Sequence, residues 1–350
     1  MTTNGMMRQA ILTAPKQIEF RDLPLGTPGP DEVLVKVHAC AICTWEKRAY
    51  TGADTRFYPL IGGHEIAGVI EAIGERAGEG LAVGDRVAVS GLTRCGKCYS
   101  CRRGRDNRCE NTWQRDFKPG MPAGPGGLAT HKMARDYQIF KLQPDTDLIE
   151  GSLSEPLACV VRSVKKARVE PGDFVVVVGG GVMGMLHVLM AKRLGAMVVV
   201  SEPDAGRRKR ALELGADHVL NPAEADLGKT VKELTGGHGA EVVFDAVGSG
   251  PAIESGLQML GTGGRMQVYA RVYPKGTTIT IDPNLFHEKE LVLNGTMSQN
   301  REDFQQAAEM IARRAIDLRP IISATYPMDK MTEAFEASTQ LSNYRVVVTM

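Results

Sequence analysis

Four cysteines within fifteen residues hold the densest chemistry in this chain. The stretch CGKCYSCRRGRDNRC spaces Cys95, Cys98, Cys101 and Cys109 as C-x2-C-x2-C-x7-C. Four thiolates on one short lobe, residues 91–112, close a tetrahedral zinc site with no open position. Such a site stabilises a loop and leaves no vacancy for a reacting atom. An iron–sulfur cluster is the alternative that four cysteines also permit. A disulfide framework does not suit a long chain that lacks a signal core.

A second cluster is made of glycines. VVVVGGGVMG fits G-x-G-x-x-G at Gly179, Gly181 and Gly184, after an apolar strand and at the start of a helical pattern. In that context the motif binds a dinucleotide. The first glycine turns tightly, the second admits the pyrophosphate close to the backbone, and the third lets helix pack on strand. Val182, Met183 and Gly184 then open a helix whose free N–H groups and positive dipole end face phosphate. The next strand ends at Glu202, 23 residues after Gly179. A carboxylate there accepts both hydroxyls of the adenosine ribose and repels a 2′-phosphate, so the expected cofactor is NAD rather than NADP. Arg207 and Arg208 lie close enough to weaken that preference.

The surrounding elements are those such sites need. Residues 1–110 read as β-rich, with short runs such as EVLVKVHAC and DRVAVS between Gly/Pro punctuation. PGMPAGPGG, 119–127, is a loop by composition. From about residue 172 strands alternate with helices: DFVVVVG, AMVVVSE, EVVFDAVG, GGRMQVYA and ELVLNG leave room for helices between them. That is the α/β pattern of a doubly wound parallel sheet. No internal repeat or low-complexity segment interrupts it.

Composition excludes several classes of function. At 350 residues two domains are expected. A net charge of +1 with 43% apolar residues suggests neither a nucleic-acid nor a membrane-surface partner. No apolar run approaches the length of a transmembrane helix, and the N-terminus has no signal core, so the expected location is cytoplasmic.

Cys43, His64, Glu65 and Glu155 are each unremarkable alone: a core thiol, a histidine after two glycines, and two acids. Their order is not. A β-rich segment, Cys43, the GHE of His64 and Glu65, the four-cysteine lobe, Glu155 before Pro156 and the GGG-x-x-G turn follow one another. The chain thereby resembles the zinc-containing medium-chain alcohol dehydrogenases, most closely the sorbitol and threonine dehydrogenase branch. GHEIAGVIEAIG and VGDRVAV extend the likeness, which spans essentially the whole chain.

The resemblance implies a GroES-like catalytic domain over 1–155, completed by 296–350, and a Rossmann NAD domain over 156–295. It implies Cys43 and His64 as ligands of a catalytic zinc and Glu155 at the third-ligand position. Glu65 either binds that metal or stands just behind it. With the lobe, this makes one catalytic and one structural zinc per chain. The implied reaction is reversible oxidation of a secondary alcohol, in a polyol, sugar or cyclitol, to a ketone. A threonine-like amino or hydroxy acid dehydrogenase and a non-catalytic NAD-binding relative are the alternatives. Relatives are homo-oligomers, dimers or tetramers, often joined through edge strands, and ELVLNG (290–295) is a plausible one.

One stretch departs from the family. After the cysteine ligand, Gly-Ser-Asp or Gly-Thr-Asp is usual, and the hydroxyl begins a proton relay that a histidine often completes. Here the residues are Thr44-Trp45-Glu46-Lys47-Arg48. Trp45 has no oxygen to accept a proton, and Arg48 stays protonated. Glu46 takes the place of the aspartate expected to orient His64. Thr44 supplies the hydroxyl, or Glu65 or Glu155 takes the proton, or the site is degenerate. Trp45 either packs against the cofactor domain or walls the substrate pocket with an apolar face. Lys47, Arg48, Arg115 and Lys118 either face solvent or add positive charge for hydroxyl-rich or acidic substrates.

Overall fold

The computed structural model describes residues 5–112 and 120–350. Two compact units make up the chain: Met1–Ala158 with Gln299–Met350, and Cys159–Ser298.

The first unit is built on a seven-stranded sheet. Its central strand, Glu32–Ala41, places Val33, Val35 and Val37 in the core, each at most 2% exposed. That strand pairs antiparallel with Glu65–Ile73, in a register that sets Ala41 opposite Glu65. Antiparallel partners bring the exit of one strand and the entry of the next to the same end. Cys43, two residues beyond the first strand, and His64, one residue before the second, therefore meet there. Gly91, just past the strand Arg86–Ser90, closes the same end: Ser90 lies opposite Glu65, and a Cβ on Gly91 would stand 2.8 Å from His64 Cβ. The last strand of the chain, Arg345–Thr349, pairs with residues 39–41 of the central strand. Residues more than 300 apart in sequence thus share one sheet end.

A seven-residue helix, Thr44–Tyr50, starts directly at Cys43. Cys43 is its N-cap and offers no capping hydrogen bond. So short a helix is marginal on propensity alone and is held by packing. Ala49 and Tyr50 are buried, and Tyr50 stacks on Phe335 at 4.8 Å.

The second unit is a six-stranded parallel sheet ordered His218–Leu220, Met197–Ser201, Phe174–Val178, Ala240–Asp245, Leu260–Val268, Val292–Gly295. The first strand in sequence is central, and the chain winds outward on one side and then the other. Its five residues are all buried, as a strand covered on both faces requires. The turn that follows sits where the order reverses, which is where doubly wound sheets bind ligands.

Candidate metal centres and dinucleotide turn

Cys43 Sγ, a ring nitrogen of His64 and a carboxylate oxygen of Glu65 lie within 4.8 Å of one another. Ligands about 2.0–2.3 Å from one tetrahedral ion fall within that separation. Glu46 fixes the imidazole: its Oε1 is 2.8 Å from His64 Nδ1 and also accepts the Gly63 N–H at 2.9 Å. Nε2 is thereby left for the ligand side. Gly63 makes this possible. Its φ is +93°, and a Cβ there would stand 2.4 Å from Leu128 N. Glu155, in the first turn of Ser154–Ala167, reaches the rim, with Oε2 4.0 Å from His64 Nε2.

Charge supports the same reading. Glu46 and Glu65 are 1% and 0% exposed, and Glu155 is mostly buried. Arg345 Nη2 stands 2.8 Å from Glu65 Oε1. Among the described residues, none donates a well-aligned hydrogen bond to either Glu65 oxygen. Burial pushes the Glu65 carboxyl up to about 7, against the pull of Arg345 and His64, and burial also raises the Cys43 thiol. Three carboxylates and a thiol around one imidazole and one guanidinium suit a divalent cation. Arg345 is the member that sequence reasoning missed. Its only signal was an arginine opening the apolar run RVVVT.

Trp45 lies beside the imidazole. Its ring stands edge-on to His64 at 5.9 Å and to Phe57 at 5.7 Å. Thr44, at the first helical position, is exposed. Arg48 Nη2 donates to Ala53 O at 3.3 Å. Arg56 and, more weakly, Arg48 hold the buried Asp54 carboxyl below the usual range, and the Arg56 guanidinium lies 5.1 Å over Phe57. Arg115 and Lys118 lie outside the described residues.

In the lobe all four sulfurs lie within 4.8 Å of one another. That suits one ion with Zn–S bonds of about 2.3 Å, whereas a cluster of several irons would spread them. N–H groups converge on the sulfurs. Cys95 Sγ accepts from Cys98 N and Asn111 Nδ2, Cys98 Sγ from Cys101 N and Glu110 N, and Cys109 Sγ from Cys95 N and Asn111 N, all at 3.3–3.4 Å. The Asn111 amide, with backbone N–H groups, brings the Cys95 thiol down to about 6. Thiolate is the form that binds metal. Asn111 was not singled out from sequence, because a lone asparagine beyond the last cysteine carries no spacing signal.

In the second unit, Gly179 has φ +103°. A Cβ on Gly184 would stand 1.9 Å from Gly179 O, while one on Gly181 would meet nothing within 4 Å. The cradle is thus closed on its packing side and open on its ligand side. Gly181 caps the helix Val182–Arg193 without a side-chain bond, leaving first-turn N–H groups for phosphate. Glu202 is 5% exposed; its Oε2 accepts Gly180 N at 2.6 Å and its Oε1 accepts Asp204 N at 2.9 Å. Gly180 has its own role, since a Cβ there would fall 2.9 Å from Glu202 Cγ. Arg208 is tied to the carbonyls of Glu202 and Pro203, and Arg207 Cβ lies 3.3 Å from that same Cβ position. No helix among the described residues is long and apolar enough to cross a membrane.

Comparison with known proteins follows the same division. Residues 29–144 match the alcohol dehydrogenase GroES-like domain family, and residues 182–313 match the zinc-binding dehydrogenase family. Over 310 residues the chain is 38% identical to a 2-dehydro-3-deoxy-L-galactonate 5-dehydrogenase from Pseudoalteromonas atlantica, with 88% of each covered. Over 325 residues it is 35% identical to an L-threonine 3-dehydrogenase from Pyrococcus horikoshii, with 91% of each covered. A protein described as a zinc-binding dehydrogenase from Sinorhizobium meliloti, solved bound to NADP, matches with a TM-score of 0.87 at 28% identity, over 99% of both chains.

Proposed function

The chain belongs to the zinc-binding alcohol dehydrogenase family, and from that premise we propose that it oxidises a secondary alcohol of a polyol, sugar or cyclitol to the ketone, reversibly, with NAD. It is a zinc-dependent oxidoreductase. The observation that carries the reading is the convergence of Cys43, His64 and Glu65, with Glu155 at the rim.

Zinc held there would supply a Lewis acid for the alcohol oxygen, and NAD would supply the hydride acceptor. The chain's own residues do the rest. Cys43 and His64 hold the metal, Glu155 completes or adjusts the ligand set, and Glu65 stands at or behind it. Glu46 keeps the imidazole turned, and Arg345 keeps Glu65 in place. Trp45 and Phe57 shield one side from water and offer apolar faces to the C–H groups of a sugar. The alcohol proton leaves by the Thr44 hydroxyl or by Glu65 or Glu155, because Trp45 has no acceptor atom and Arg48 no free base. The N–H groups of Val182, Met183 and Gly184, after the Gly179–Gly181 turn, would hold the pyrophosphate, and Glu202, with Arg207 beside it, would hold the ribose. The structural zinc belongs to Cys95, Cys98, Cys101 and Cys109. In domain terms, 1–155 with 296–350 is catalytic and 156–295 holds NAD.

A second reading gives the substrate a carboxylate, as in a sugar acid or a threonine-like amino acid. The names of the two relatives above favour it, and Arg48, near Trp45, is the positive charge beside that wall, since Arg56 is ion-paired with Asp54. We place the enzyme in the cytoplasm as a homo-oligomer. The edge strand Val292–Gly295 exposes Val292 and Leu293, at 48% and 39%, as its joining surface.

The test is an NAD-reduction screen over polyols, sugars, cyclitols and hydroxy acids, with zinc counted per chain. Turnover with two zinc ions per chain supports the reading, one for each ligand group. One zinc and no turnover refute it.

A further inference from the structure

Lys132 lies on the strand His131–Arg135, directly opposite Val35 of the central strand. Residues opposed across an antiparallel ladder share a face. Val35 is 0% exposed and belongs to the core cluster, so the lysine stem runs inward. Its neighbour His131 occupies the other face, with Nε2 2.9 Å from Glu71 Oε2. The Lys132 ammonium meets Gly126. A Cβ on that glycine would stand 3.8 Å from Lys132 Nζ, 3.4 Å from Gln9 Nε2 and 3.8 Å from Ile61 Cδ1.

These surroundings are unusual for an ammonium. Gln9 from the strand Met6–Ala14 and Ile61 border the same Gly126 position, Val35 is its partner across the ladder, and none of these ionises. Glu71, the acid on the neighbouring strand, is engaged with His131 on the opposite face. The Lys132 side chain makes no ion pair or hydrogen bond with any described residue. Burial alone pushes its amine down to about 8, where an ordinary lysine sits near about 10.4. The residue nevertheless keeps part of its surface in solvent. An amine of which a sizeable minority is neutral near physiological pH, and which a small reagent can reach, is the arrangement that makes a lysine reactive.

We propose that Lys132 is an acylation site, taking small acyl groups from activated acyl donors: acyl thioesters or acyl phosphates. The neutral Nζ lone pair attacks the carbonyl carbon and forms a C–N bond. The C–S or C–O bond breaks, and its electron pair leaves on the thiolate or phosphate. Nζ gives one proton to water. Nothing is oxidised or reduced, and the amide formed no longer carries charge. This proposal is independent of the alcohol oxidised at the metal centre.

The zinc-loaded enzyme is incubated near neutral pH with acetyl phosphate and, separately, with S-acetyl-N-acetylcysteamine. Acetylation at each lysine is then followed by peptide mass spectrometry. Lys132 is expected to react about tenfold faster or more than Lys229, whose side chain is 74% exposed. Its rate should level off above a midpoint near 8. Whichever reagent labels it identifies the acyl donor. Gln9→Glu places a carboxylate near Nζ, holds the ammonium protonated and should slow Lys132 several-fold with Lys229 unchanged. The proposal is overturned if Lys132 reacts no faster than Lys229 with either reagent. It is equally overturned if the rate climbs through about 10.4 like that of an ordinary lysine, or if a folded Gln9→Glu enzyme labels like the parent.

Discussion

Arg345 Nη2 and Glu65 Oε1 stand 2.8 Å apart with both side chains at most 2% exposed. The pair joins the residue after His64 to the last strand of the chain. Removing one partner leaves an uncompensated buried charge. Arg345→Met should cost roughly 3–5 kcal/mol of stability, the range for breaking a buried ion pair. Urea unfolding of the zinc-loaded enzyme measures it. A loss below about 1 kcal/mol, the range of an exposed pair, would mean that Glu65 is balanced by something else.

Glu46 acts on the same centre from the other side of the imidazole. Glu46→Gln keeps size but weakens the hold on His64 Nδ1 and on Gly63 N–H. Affinity for the catalytic zinc should fall by about 10–100-fold, the usual effect of losing such a partner. Chelator competition reads this directly, and the four-cysteine site serves as an internal control that should not change.

What could be read in the sequence was what lies close together along it. The cysteine lobe and the glycine turn declare themselves by spacing over a dozen or so residues. The Cys43 centre required residues scattered from 43 to 155, and only their order pointed to it. Arg345 was invisible because its place depends on strand register: the last strand pairs with residues 39–41. Gly180 is a variable position of the fingerprint, and only the fold brings it against Glu202. The helix Thr44–Tyr50 carries too little periodicity to announce itself, and packing rather than propensity holds it.

The proposed preference for NAD rests on Glu202. Glu202→Ala removes the acceptor for the ribose hydroxyls and the repulsion toward a 2′-phosphate, while Arg207 and Arg208 remain beside it. The kcat/KM for NAD should fall and that for NADP rise, moving their ratio by about tenfold or more, or roughly 1.4 kcal/mol. If the parent enzyme already prefers NADP, the role given to Glu202 is wrong.

His187 sets an acid limit on the second unit. It is 0% exposed, with Nδ1 2.7 Å from Met183 O and Nε2 2.9 Å from Ser163 Oγ. Burial pushes its pKa down to about 4, below the unfolded value of about 6.5. Between those values the unfolded chain binds the extra proton, so stability falls as pH falls. The contribution is complete above about 6.5 and lost by about 4, at most roughly 3 kcal/mol. His187→Gln should flatten the dependence of urea unfolding on pH within that window. An unchanged slope would assign the acid sensitivity to other groups.

Trp45 stands where the family resemblance leads one to expect a hydroxyl. Its ring lies edge-on to His64 at 5.9 Å and to Phe57 at 5.7 Å, so it borders the metal centre. Trp45→Ser does two things at once: it opens the wall and restores a hydroxyl at the usual relay position. The two effects separate kinetically. A lost apolar face raises KM for the sugar, by about tenfold for 1–2 kcal/mol of contact. A gained relay raises kcat and changes its pH profile, and KM stays as it was. The expected result is the first, with smaller or bulkier alcohols admitted in place of the original substrate. A rise in kcat at constant KM would show instead that proton release limits the parent enzyme and that Thr44, Glu65 and Glu155 only partly replace the missing hydroxyl. Unchanged kinetics and substrate range would remove Trp45 from the pocket.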